Sequence, residues 1–359
     1  MQQQQQQKQL PPSKRLKTDQ PESKQRRLAG VLHGGGGAYS FGSMISDFLS
    51  TSTSRNPLYS VSKSTRQHSI KSETNLNLQS NSQWKVMIHL FIPFLPLHSI
   101  LKLNLSHNQI GKQECIDLAK SFFQRLPHLQ ELNLSHNRIE DEGCNALATC
   151  KTELTELRVL NVSSNNISVD GCAALAEFLL ELNQLEKLDI SHNRIEDEGC
   201  RILFAEDVIS SLTQLEELEL RTIGMRVDGC RALANVLHHL PNLRVLDLTA
   251  NLIEDIGNIE LAINLPHLTK LRKLVLTDTN MRDEGCRVLF GVLPDLKELR
   301  LLNLSYNYLT RACCDVLTTV LPRLEKLRAF NIRWNKIVNC PELDTLVRNN
   351  VKKRKNFLH

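Results

Sequence analysis

Aromatic residues are scarce in this 359-residue chain, at 5% with two Trp and four Tyr. A core built on large rings is therefore excluded, and with 41% hydrophobic residues the interior must be aliphatic. Long apolar runs are also missing. The most apolar stretch, residues 86–101, is shorter than the roughly 20 residues a membrane span needs, and it contains His89, Pro93, Pro96 and His98. No basic start with an apolar stretch behind it opens the chain, so no secretory signal is expected and the chain reads as intracellular. Nor does one sign of charge prevail. The excess of +5 comes from 44 Lys/Arg against 39 Asp/Glu, and it sits at the ends. Residues 1–30 hold seven basic residues against Asp19 and Glu22, and residues 31–83 hold four against two, which leaves the rest slightly acidic. A groove tracking nucleic acid needs a basic body, so that partner is disfavoured.

What is present divides the chain. Residues 1–75 read as a tail without a core: a Gln run, a basic cluster, Gly34–Gly37 and a Ser/Thr-rich stretch. Such a composition buries too little apolar surface to offset the entropy of ordering, so disorder is expected. The four glycines lack the strand, Lys-Ser/Thr pair and helix of a phosphate loop. Within the tail, Pro11-Pro12-Ser13-Lys14-Arg15-Leu16-Lys17-Thr18-Asp19 resembles a monopartite nuclear-import signal, with Lys24, Arg26 and Arg27 as a second cluster. An import receptor is thus an expected partner, and the nucleus or cytoplasm the expected location. A short basic tail, residues 351–359, ends the chain.

Between the tails the sequence repeats. Leu-x-Leu-x-x-Asn recurs with its first apolar residue at Leu103, Leu132, Leu160, Leu188, Leu218, Leu246, Leu274, Leu302 and Phe330, in steps of 28 to 30 residues. A degenerate copy at Leu76–Asn81 precedes them, so residues 76–102 read as a cap or imperfect repeat and 103–350 as the repeat domain. The alternating leucines predict a short strand with one buried face. The Asn after it (Asn108, Asn137, Asn165, Asn193, Asn251, Asn307, Asn335) is placed to bond loop backbone in a ladder from repeat to repeat. A helix of period near 3.6 follows, as in Cys230–Leu240. Asp141, Asp170, Asp197, Asp228, Asp255 and Asp283 sit where each could cap the free amides of its own helix. One acid per repeat does not supply the alternate oxygens of a calcium loop.

The phrase Leu-x-x-Leu-x-Leu-Ser-x-Asn-x-Ile-x-Asp-Glu-Gly-Cys resembles the ribonuclease-inhibitor-like class of leucine-rich repeats. That resemblance covers about residues 76–350. It implies an α/β solenoid, a horseshoe with parallel strands inside and helices outside, acting as a non-catalytic protein-binding scaffold with no cofactor. Two further likenesses define alternatives. Residues 86–103 are similar to the middle of an F-box, which implies a substrate receptor of a ubiquitin ligase, although Ser82-Gln83 stands where Leu-Pro is usual. Ran GTPase-activating proteins share this repeat class, but Arg138 and Arg194 fall in the repeated Asn-Arg-Ile phrase and the acidic C-terminal tail of that family is replaced by Lys352-Lys353-Arg354-Lys355.

Three motifs invite chemistry. Seven of the ten cysteines (Cys115, Cys144, Cys172, Cys200, Cys230, Cys286, Cys314) share one register, as small buried hydrophobes do, without the close pairs of a zinc or disulfide site. His107, His136 and His192 share a position on the inner face, but two imidazoles without a third donor make a poor metal site. The Asn-Leu/Val-Ser sequons are by-products of the strand motif.

The inner-face positions are monotonous through the fourth repeat and then diversify: Glu219, Arg221 and Thr222, then Asp247, Thr277 and Asp278, then Tyr306, Arg333 and Trp334. Arg, Tyr and Trp dominate interface hot spots. The expected contact surface for a protein partner is therefore Glu219, Arg221, Thr222, Asp278, Tyr306, Arg333 and Trp334. Replacing Arg221, Tyr306 and Trp334 is expected to remove binding without changing the thermal melt.

Overall fold

The computed structural model describes residues 74–81, 84–85, 88, 97–343, 345 and 356–358, all within the compact unit Ser69–His359. They form one sheet of eleven parallel strands in sequence order. β1 (Thr74–Asn77) is the degenerate copy, with Leu76 opposite Leu103 of β2 (Ile100–Asn104). Then follow β3 (Glu131–Asn133), β4 (Val159–Asn161), β5 (Lys187–Asp189), β6 (Glu217–Glu219), β7 (Val245–Asp247), β8 (Lys273–Val275), β9 (Leu301–Asn303) and β10 (Ala329–Asn331). β11 (Asn356–Leu358) pairs with β10. The first leucine of each repeat stands opposite the next repeat's, from Leu103–Leu132 through Leu274–Leu302 to Leu302–Phe330.

Strands β2 to β9 each lead into a helix: α1 (Lys112–Ser121), α2 (Glu140–Ala148), α3 (Val169–Leu179), α4 (Glu196–Leu203) followed by α5 (Glu206–Ser211), α6 (Val227–Val236), α7 (Glu254–Asn264), α8 (Asp283–Val292) and α9 (Cys314–Val320). Parallel strands stack about 4.8 Å apart, whereas packed helices need 8–10 Å. One strand and one helix per repeat therefore bend the stack, with the strands inside the curve. Leu103, Leu105, Leu132, Leu134 and their equivalents are buried between the layers, joined by Phe122, Phe178 and Phe290.

The expected Asn ladder is present. In the fourth repeat, Asn193 Nδ2 donates to Val162 O (3.1 Å) and Ile190 O (2.9 Å). Its Oδ1 accepts from the amides of Asn165 (3.0 Å) and Ile167 (3.1 Å). Each side chain thus satisfies backbone groups in two repeats that the curved, helix-poor loop leaves unpaired. In the fifth repeat Ile223 offers no such carbonyl to Asn193 and Ile195. In the seventh, Thr279 partly substitutes by donating to Leu276 O at 3.2 Å.

The aspartates act differently from expectation. Asp170 and Asp228 lie inside the first turns of α3 and α6, and Asp228 pairs with Arg231. Asp141, Asp197, Asp255 and Asp283 instead cap the following repeat: Asp141 takes the amide and hydroxyl of Ser168, both at 2.7 Å, and Asp197 the amides of Arg226 and Gly229 at 2.7 and 2.8 Å. Adjacent helices are so close that the Asp of one reaches the free amides opening the next. That closeness also fixes the glycines: a Cβ on Gly171 would lie 2.5 Å from Asp141 Oδ1, and one on Gly199 2.7 Å from Cys172 Sγ.

All ten cysteines are free and buried. Cys314 opens α9, whereas the other helices begin three or four residues before the aligned cysteine, so Cys144 and Cys200 sit on the second turn of α2 and α4. Burial pushes the thiols of Cys115, Cys172 and Cys230 up to about 12, and that of Cys150 to about 11. At neutral pH, on the order of one such thiol in 100,000 is ionised (about one in 10,000 for Cys150), and the thiolate is the reactive form. The native chain is therefore expected to take up almost no iodoacetamide, and the urea-unfolded chain to take up ten equivalents by mass. Rapid native labelling at Cys115, Cys172 or Cys230 would contradict their placement.

Candidate functional site

The strand face carries three columns of outward side chains, and each strand then exits through a residue with positive φ. These are His107, His136, Ser164, His192, Thr222, Ala250, Asp278, Tyr306 and Trp334, with φ between 51° and 60°. None is glycine, and for an L residue this left-handed conformation costs roughly 1–2 kcal/mol. A second left-handed residue follows two positions later in odd repeats (Gln109, Asn166, Gly224, Asn280) and four positions later in even ones (Glu140, Glu196, Glu254). The first seven repeats thus alternate with a period of two; among the described residues the eighth has no second left-handed residue, and in the ninth it is Asn339, five positions after Trp334.

At the N-terminal end of this face the rings of His107 and His136 stack, with centroids 4.1 Å apart and planes 10° off parallel. Among the described residues, no group of three or more His, Cys, Asp or Glu could hold a metal ion. The basicity of His136 is lowered by loss of water around it and by the neighbouring charges of His107 and His192, against Asp189. A histidine depressed in the folded state binds its proton more readily in the unfolded chain. Its contribution to stability is therefore intact above the unfolded value near 6.5 and is lost as the pH falls below it. The melting temperature of His136→Asn should consequently drop less than that of the wild type between pH 7.5 and 5.5, and parallel curves would contradict this assignment.

In the middle of the face Arg221 is bound up with acids of its own chain. Its guanidinium pairs with Glu219, and its Nε lies 3.0 Å from Asp247 Oδ2. Glu219 also holds Lys187 at 3.0 Å, and Asp247 lies 3.7 Å from Lys273. Both carboxylates are nearly buried, at 8% and 4% exposure. Removing Arg221 would leave Glu219 to Lys187 and Asp247 to the more distant Lys273, and a nearly buried charge that loses one of its partners is costly. Arg221 and Glu219 thus belong to one ion-pair network, so replacing Arg221 is expected to cost stability as well as any contact it makes. Thr222 and Asp278 project from their exit positions into solvent.

The C-terminal end differs. Tyr306 and Trp334 stack with centroids 5.5 Å apart and planes 18° off parallel. They remain 54% and 70% exposed. Beside them Lys336 Nζ lies 4.8 Å over the ring of Tyr308, itself 44% exposed, and Arg333 is exposed next to Trp334. Tyr308 falls beyond the strand phrase, and its alignment with Lys336 of the next repeat is the signal in the sequence that marks it. The expected import residues Lys14, Arg15, Lys17, Lys24, Arg26 and Arg27 lie outside the described residues, as does most of the F-box-like stretch. Among the described residues no helix is long and apolar enough to cross a membrane.

A family model described as Leucine Rich repeat matches residues 97–113, 125–148, 154–176, 182–203 and 267–290. Among solved structures, an internalin from Listeria monocytogenes is similar at 20% identity, covering 73% of this chain and 80% of that one with a TM-score of 0.37. No curated protein matches the sequence. The five matched segments lie on the strand, ladder position and helix of individual repeats, with Thr279 at the ladder position of the last, and the remaining repeats continue the same sheet in register. The chain is a leucine-rich-repeat protein, built on a fold that serves as a protein-interaction scaffold.

Proposed function

We propose that the chain is a non-catalytic scaffold of the ribonuclease-inhibitor-like class that binds a protein partner on its strand face, with the eighth and ninth repeats as the main contact. The observation that carries this reading is the stacked Tyr306–Trp334 pair. Both rings stand in the left-handed conformation and both face water. A large aromatic side chain contributes to a fold by being buried, and these two contribute little of that. The left-handed backbone is common to the exit position of every repeat, so the exposure of two stacked rings is what sets this pair apart. Tyr308 and Arg333 flank the pair and add the residue types that interfaces favour. The basic cluster Lys14–Lys17 with Lys24, Arg26 and Arg27 supports nuclear import through an import receptor.

Affinity capture from a nuclear extract tests the reading, comparing the full chain with Tyr306→Asn/Trp334→Asn and with Ile256→Ser/Ile263→Ser on the outer helix α7. Proteins captured by the wild type should be lost on the first variant and kept on the second. Retention on the first variant would overturn the proposal.

A further inference from the structure

Two residues before the first strand leucine, each repeat presents one side chain at the entry edge of the sheet. Through the sixth repeat this column is mixed and internally neutralised: Arg158 pairs with Glu186 at 2.7 Å, and Arg244 with Glu216 at 2.7 Å. In the last three repeats it becomes Arg272, Arg300 and Arg328 without interruption. Their backbones are locked in sequence, since Arg272 N donates to Arg244 O (2.8 Å), Arg300 N to Arg272 O (2.8 Å) and Arg328 N to Arg300 O (2.7 Å). Three guanidinium stems therefore leave the sheet one strand spacing apart, about 4.8 Å. Like charges so placed oppose folding and call for an outside explanation. None of the three has a side-chain hydrogen bond or ion pair among the described residues.

One acid near them, Glu298, is already committed. Glu298 pairs with Lys326, and its carboxyl is held below the usual range by Lys326 first and by Arg300 and Arg272 as well. Arg300, Arg328, Lys326 and Glu325 line a surface groove of about 310 Å³. The chain's tails are themselves basic, because residues 1–73 carry eleven basic residues against four acids and Lys352–Lys355 are all basic. An anionic segment of another molecule complements the edge better.

We infer that Arg272, Arg300 and Arg328 form a docking ridge for an extended acidic segment of a protein partner. Separate carboxylates suit the ridge, since each can take two parallel N–H bonds from one guanidinium. A nucleic acid strand suits it less. Glu325 interrupts the lining, and Tyr306 and Trp334, which could stack bases, leave the strands six residues further on, about 20 Å away. The ridge is a second surface, and it stands or falls independently of the aromatic pair.

The test is fluorescence anisotropy of the full chain with a labelled peptide of alternating Glu and Ser, at low ionic strength where such contacts are strongest. R272E/R300E/R328E should weaken binding at least about tenfold, the neutral R272Q/R300Q/R328Q should fall between it and the wild type, and Tyr306→Asn/Trp334→Asn should bind as the wild type does. The Gln variant keeps the result interpretable if charge reversal disturbs folding. Equal binding by the wild type and the Gln variant would place the peptide on the basic tails and overturn the inference. Tighter binding of oligouridylate than of the peptide, lost in the same variants, would also overturn it and assign the ridge to nucleic acid.

Discussion

Replacing Asn193 by alanine is expected to destabilise the chain by roughly 3–5 kcal/mol, measured as the shift in urea unfolding. The estimate follows from what the side chain leaves behind. Its Oδ1 accepts from two buried amides, of Asn165 and Ile167, and its Nδ2 serves the carbonyls of Val162 and Ile190. Each buried polar group left without a partner costs about 1–3 kcal/mol. Carbonyls already bonded elsewhere lose less, so the two amides dominate. The position makes the effect larger than at other rungs. The next rung is Ile223, which has no amide to offer, so Asn193→Ala would leave two consecutive junctions without an Asn rung, the second held by the Asp197 cap and the Lys187 ion pairs. A solenoid's cooperativity is the sum of its nearest-neighbour interfaces. The variant should therefore unfold in two steps, with the repeats before and after this junction separating. His192→Ala, one residue away and exposed, should move the midpoint by no more than about 0.5 kcal/mol. A loss under 1 kcal/mol for Asn193→Ala would show that the ladder does not hold the stack.

The leucines and asparagines were legible in the sequence because their roles depend on one repeat at a time. A buried Leu at alternate positions and an Asn three residues after the second Leu act identically in every repeat, so spacing alone exposes them. The rest depends on relations between repeats. Asp141 and Asp197 look like caps for their own helices; only the close approach of neighbouring helices directs them to Ser168, Arg226 and Gly229. Arg221 looks like a free hot-spot residue until the stagger of adjacent strands brings Glu219 and Asp247 to either side of it. The Arg272, Arg300, Arg328 column lies upstream of the recurring phrase and becomes visible when the repeats are read in register. The left-handed exit residues were not legible, because no glycine marks them. The loop bonds to the Asn ladder impose that conformation on whatever side chain stands there.

That imposed conformation decides the outcome of the second large effect, the replacement of Tyr306 and Trp334 by asparagine. Among residues other than glycine, Asn is one of the few that enters the left-handed region readily. The substitution should therefore recover part of the roughly 1–2 kcal/mol that each position costs. Against this stands the lost ring stacking, about 0.5–1.5 kcal/mol for the pair. The two terms nearly cancel, with relief of the backbone the larger, so the thermal melt should stay level or rise. Binding should move the other way. An interface anchor of this type loses about 2 kcal/mol or more on truncation, which is about 30-fold in affinity for one ring and more for two. A pair kept for folding would produce the opposite result, a lower melting temperature with partner binding reduced only in proportion to unfolding. Titrating the captured partner against both chains below their melting transitions separates the cases: a drop in affinity with an unchanged melt assigns the rings to the interface, and a lower melt with unchanged affinity assigns them to the fold.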